Sequence, residues 1–88
     1  MSQEAFRIVP DNSFVKELVI DLDEAVAIIV MDTNQGLKKY TYDIDKGSEY
    51  YDEFIEGMNN LNPESGVGRF CTKYRSNGVL NEISSEFC

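Results

Sequence analysis

Ala25-Val26-Ala27-Ile28-Ile29-Val30-Met31 decides how this chain folds. It reads as a β-strand that is apolar on both faces. Val26, Ile28 and Val30 point to one side, and Ala27, Ile29 and Met31 to the other. A strand of this kind is either covered twice or sits at a subunit contact. In a chain of 88 residues the second arrangement predicts a homo-oligomer formed partly through the sheet. The alternative is that helices, the N-terminal arm and the C-terminal tail cover both faces.

Upstream, Phe14 to Asp21 is rich in β-formers and predicts a first strand, joined by the tight connection Leu22-Asp23-Glu24. Residues 1–12 read as a lead-in, with Pro10-Asp11-Asn12-Ser13 as a turn cluster. Downstream, Asp32 to Gly36 forms a hairpin loop, with Gly36 suited to positive φ. Leu37 to Asp43 is then a third strand. Its Lys38, Tyr40 and Tyr42 share one face; Leu37, Lys39 and Thr41 share the other.

Past the connector Ile44-Asp45-Lys46-Gly47, the period changes. Tyr50, Tyr51, Phe54, Ile55 and Met58 recur at helical spacing and predict a helix over 48–60. Ser48 is its expected N-cap, and Glu49, Asp52 and Glu53 suit the positive end of its dipole. Asn59 to Glu64 ends it, and a second helix is expected from about Ser65 to Ser76-Asn77-Gly78. Val79 to Ile83 reads as a short strand or a last turn, and Ser84 to Cys88 as a frayed end. The expected class is α+β: a single domain over 1–88, with a short antiparallel β-meander of about three strands packed against two helices.

Composition narrows function more than it names it. Sixteen Asp and Glu face eight Lys and Arg, a net charge of −8. That argues against the backbone of long DNA or RNA, which calls for a broad basic face. Histidine is absent, and with it the commonest general base, metal ligand and pH switch. Cys71 therefore has no histidine to activate it, and Cys71 with Cys88 makes no disulfide framework. Asp21, Asp23 and Glu24 form a cluster that more often builds a turn than binds a divalent ion. These features predict no enzyme, no catalytic residue, no metal and no cofactor. No stretch is long and apolar enough for a transmembrane helix, and the N-terminus lacks the pattern of a signal peptide. The expected compartment is the cytoplasm, with no membrane partner.

One stretch stands out chemically: Ser65-Gly66-Val67-Gly68-Arg69-Phe70-Cys71-Thr72-Lys73-Tyr74-Arg75. Three cations lie within seven residues of an acidic chain, behind two glycines at an expected helix start. Gly66 and Gly68 offer uncovered N–H groups to an anion. Arg69, Lys73 and Arg75 offer charge. Tyr40, Tyr42, Phe70 and Tyr74 offer flat surfaces for a base. The expected function is a non-enzymatic binding protein that takes, and can sequester, a small nucleotide-derived anion. By analogy alone this suits a viral counter-defence sponge for a host nucleotide signal. The bland alternatives are close helix–sheet packing at the glycines and salt bridges from the cations to the helix over 48–60.

A second function class competes with it. Glu49, Asp52, Glu53 and Glu56, with the apolar strand, could serve an acidic protein-interaction module that modulates a basic or nucleic-acid-binding partner.

The order of elements resembles the KTSC domain family. Its pattern is met by Ser13, the strand over 25–31, Gly36, Tyr40 with Tyr42, Tyr50 or Tyr51 with Phe54, and Gly66-Val67-Gly68-Arg69-Phe70. The resemblance covers about residues 12–77 and implies a strand meander followed by two helices. Cys71 and Thr72 stand where the family pattern has an aromatic and an asparagine. The family is best known without an assigned activity, so the resemblance implies fold and not function.

Overall fold

A computed structural model describes residues 5–10, 14–62 and 66–88. Five antiparallel strands are joined in sequence order into one sheet: β1 (Ala5–Ile8), β2 (Val15–Asp21), β3 (Val26–Thr33), β4 (Gly36–Ile44) and β5 (Leu80–Phe87). Between β4 and β5 the chain forms two helices, α1 (Tyr51–Asn59) and α2 (Val67–Ser76). The α+β class and the two helices are as expected. The count of about three strands is corrected to five.

Both extra strands come from segments whose patterns are weak. The lead-in supplies β1, which pairs Phe6 with Ile20 and Ile8 with Leu18. β5 joins the segment expected as a short strand or a last turn to most of the expected frayed end, and pairs along β4 from Ile44–Leu80 to Lys38–Phe87, with a bulge opposite Thr41 and Tyr42. Every residue of β5 after Leu80 is exposed. Its side chains do not alternate clearly, because an edge strand is fixed by backbone hydrogen bonds more than by burial.

The register accounts for the two-faced strand at the centre. Ala27, Ile29 and Met31 are buried on the face that carries the helices, together with Leu18, Ile20, Tyr42 and Ile44. Val26, Ile28 and Val30 are only half-buried and lie on the opposite face, where no helix packs among the described residues. Two turns flanking β3 are set by side chains. Asp21 accepts the N–H groups of Asp23 and Glu24 at 3.1 and 3.2 Å. Thr33 Oγ1 donates to the carbonyl of Gly36 at 2.6 Å, and Gly36 takes a φ of 116°.

Helix α1 presents Phe54 and Met58 to the core, with Tyr51 and Ile55 half-buried beside them. It begins later than expected: Tyr50 is its N-cap residue. Ser48 instead accepts the Tyr50 N–H at 3.1 Å, stabilising the turn before the helix. Helix α2 starts behind Gly66, which has a φ of 87°, and Gly78 follows its end with a φ of 90°. Phe54 lies 5.5 Å from Phe70 and 5.1 Å from Tyr74, measured between ring centres. Phe70 and Tyr74 are 4.9 Å apart. Three mutually packed rings therefore join α1 to α2, and such pairs add about 0.5–1.5 kcal/mol each beyond burial. Residues 11–13 of the expected turn cluster, Ser13 among them, and residues 63–65 after the first helix lie outside the described residues. Among the described residues no helix is long and apolar enough to cross a membrane.

Candidate functional site

The expected anion site is divided by the fold. Phe70 and Tyr74 are buried in the helix–sheet core, and Tyr42 is 2% exposed. Their faces are covered by protein, so they provide no stacking platform at the surface; this corrects the expected role of those three rings. Tyr40 is half-buried. It lines a shallow groove of about 310 Å³ with Thr33, Asn34, Gln35, Lys38 and Phe87, and Lys38 Nζ stands 5.2 Å from its ring centre.

The glycines have different tasks. Gly66 provides the left-handed entry to α2, a conformation that side chains disfavour. Gly68 is a packing notch. A Cβ built there would lie 2.7 Å from Cε1 of Phe14, so the Phe14 ring occupies the space that the missing side chain leaves.

Nor do the cations converge. Arg69 and Lys73 are four residues apart on α2, and Lys73 Nζ donates to Oε1 of Glu53 on α1. That hydrogen bond is the main cause that raises the Lys73 pKa above its ordinary value. Arg75 lies on another side of α2, since six residues at about 3.6 per turn leave it roughly 120° around the helix from Arg69. Its guanidinium carbon sits 5.7 Å from the Tyr42 ring centre. It lines a groove of about 440 Å³ with Tyr42, Thr72, Ser76, Leu80, Asn81 and Glu82. The Tyr42 hydroxyl is buried and has no hydrogen-bond partner among the described residues, and burial raises its pKa. Asn81 and Glu82 were not expected at this groove, because the tail that carries them shows too little burial for its alternation to be read.

Cys71 is fully buried, and burial pushes its thiol up to about 12. It is therefore protonated and unreactive at neutral pH. Among the described residues no group of three or more Cys, Asp or Glu side chains is placed to hold a metal ion. The Asp21, Asp23 and Glu24 cluster is a capped turn.

The charge pattern is better defined than any pocket. Several cations are held by the fold itself. Arg7 Nε pairs with Glu17 at 2.5 Å, Lys73 pairs with Glu53, and Lys46 Nζ donates to the Leu22 carbonyl at 2.5 Å. Lys38 lies between the rings of Tyr40 and Phe87. On α1, by contrast, Asp52, Glu53 and Glu56 are exposed, as is Glu49 just before it. The last turn of α1 holds no basic residue. Lys73 forms its ion pair with Glu53 of this row.

Comparison with protein-family models, curated proteins and solved structures finds no match to this chain.

Proposed function

We propose that this protein is a non-enzymatic interaction module whose α1 surface receives a basic protein partner and thereby modulates it. One observation carries the proposal: α1 keeps an exposed acidic row in which, among the described residues, Glu53 alone is ion-paired, by Lys73, while Arg7 and Lys46 are held elsewhere in the fold. Asp52 and Glu56 stand at i and i+4, where like charges destabilise a helix by about 0.2–0.5 kcal/mol. Asp52 and Glu53 are favourable near the helix N-terminus, but Glu56 lies beyond that benefit. A cationic partner surface would relieve the repulsion and be steered towards it.

The test is binding of a fluorescent lysine- and arginine-rich peptide at physiological salt. Asp52→Lys with Glu56→Lys is compared with Asp23→Lys with Glu24→Lys, which makes the same change in net charge at a distant turn. The proposal predicts a loss of at least tenfold for the α1 pair and a much smaller loss for the turn pair. Equal losses would mean that total charge alone attracts the peptide, and would overturn the proposal.

A second reading keeps a small nucleotide-type anion as the ligand, sequestered in the groove beside Arg75. It is favoured by Arg75 making no ion pair among the described residues and by the hydroxyl and amide groups of Thr72, Ser76 and Asn81 around it. Glu82 in the same groove, and the negative end of α2, weigh against it. A thermal-shift screen with cyclic dinucleotides, mononucleotides, ADP-ribose and phosphate tests it. A ligand at a hundred times its Kd stabilises by about 2.7 kcal/mol, and the shift should vanish in Arg75→Ala. Cytoplasmic location and the KTSC resemblance belong with these proposals and favour neither over the other.

A further inference from the structure

The sheet face opposite the helices carries a pattern that suits a second copy of itself. Three residues of β3, Val26, Ile28 and Val30, form an apolar spine down its middle. The register places Glu17, Val30, Lys39 and Glu86 in one row across β2, β3, β4 and β5. A second row runs Arg7, Val19, Ile28, Thr41 and Ser84. Thus in the Val30 row a carboxylate stands on one side of the spine and an ammonium on the other. Lys39 forms no ion pair among the described residues, whereas Glu17 is reached by Arg7.

We infer that two copies stack face to face through this surface, about a two-fold axis running along β3. Rotation about that axis lays β2 of one copy over β4 of the other and keeps each row in register. Val30 then meets Val30 of the second copy, and Ile28 meets Ile28. Glu17 meets Lys39 of the second copy on one side, and Lys39 meets its Glu17 on the other. Stacked sheets lie about 10 Å apart, a gap that a Glu and a Lys side chain span together. The same axis directs Asp21 towards Asp43 of the second copy, at the end of the contact, where water screens the repulsion.

The face is large enough. Four inter-strand spacings of about 4.8 Å give a width of about 19 Å. The eight residues of β3 at about 3.3 Å each give a length of about 26 Å. Two copies therefore cover about 1,000 Å² together, where specific interfaces begin. This inference is independent of the proposed partner on α1, which lies on the other side of the sheet.

The test is sedimentation equilibrium on the full chain over a wide concentration range, with circular dichroism confirming that each variant is folded. The wild type should shift from a mass of 10.0 kDa to twice that value. Glu17→Lys sets like charges against Lys39 of the second copy, and Lys39→Glu sets them against Glu17. Each variant alone should need at least tenfold more protein to dimerise. An equimolar mixture of the two should dimerise again, since the mixed pair restores both attractive contacts. A wild type that stays monomeric throughout overturns the inference. So does a dimer that neither variant weakens, as an edge-to-edge contact through β5 would give, or a mixture that behaves like the separate variants.

Discussion

The Tyr42 hydroxyl is buried with no hydrogen-bond partner among the described residues, and the Arg75 guanidinium carbon lies 5.7 Å from the centre of the Tyr42 ring. A buried, unpaired hydroxyl costs about 1–3 kcal/mol. Phenylalanine keeps the ring, and its contact with Arg75, without that cost. Tyr42→Phe should therefore leave stability unchanged or raise it by about 1 kcal/mol, read as the urea midpoint at constant m-value. A loss above 1 kcal/mol would show that the hydroxyl has a partner.

Burial holds the Cys71 thiol protonated to about pH 12, whereas in the unfolded chain it ionises near its reference value of 9.0. Below pH 9 both states are protonated and the contribution is fully present. Above pH 9 the unfolded chain loses its proton first, so stability falls until pH reaches about 12. The limit is about 4 kcal/mol for three pH units. Burial also raises Tyr42 and Tyr74, which adds to the alkaline loss. Urea midpoints from pH 7 to 10.5 should be level and then fall, with a shallower fall in Cys71→Ala. At pH 8 a thiol reagent should label the exposed Cys88 at once and reach Cys71 only on unfolding.

How far the fold could be read from residues depended on burial. The helix stripe was legible because Phe54 and Met58 are buried at helical spacing. The central strand was legible because its alternate residues face a core. β5 was legible only at its start, as a short strand or a last turn, since Asn81 to Phe87 are all exposed and carry no periodic signal. The site failed for a related reason. Phe70 and Tyr74 have the i, i+4 spacing of an aromatic face, and spacing alone does not tell a ligand platform from a core. Likewise Gly68 looked like an anion cradle because the ring that fills it, Phe14, is far away in sequence.

Phe70 belongs to the core, so Phe70→Ala should act on stability before anything else. Removing a buried aromatic ring costs about 3–5 kcal/mol, a large share of a typical domain's 5–15 kcal/mol. Thermal melting should fall sharply. Unchanged stability would place the ring outside the core.

Ala25 carries a φ of 55° in the turn between β2 and β3, a left-handed conformation that costs a non-glycine residue roughly 1–2 kcal/mol. Its carbonyl accepts the N–H of Ile44 at 2.8 Å, which holds the backbone in place. Ala25→Gly should raise stability by about 0.5–1 kcal/mol after its greater unfolded-state entropy is counted. A decrease measured by urea unfolding would mean that the methyl group's packing outweighs the strain.

The most direct measurement for the proposed interaction surface is a residue-resolved amide NMR titration with a lysine- and arginine-rich peptide. The account predicts saturable shifts concentrated on Glu49, Asp52, Glu53 and Glu56 and their neighbours in α1, weakened by salt and small around Thr72, Arg75 and Ser76. Shifts spread evenly over every acidic residue, or no saturation, would contradict it.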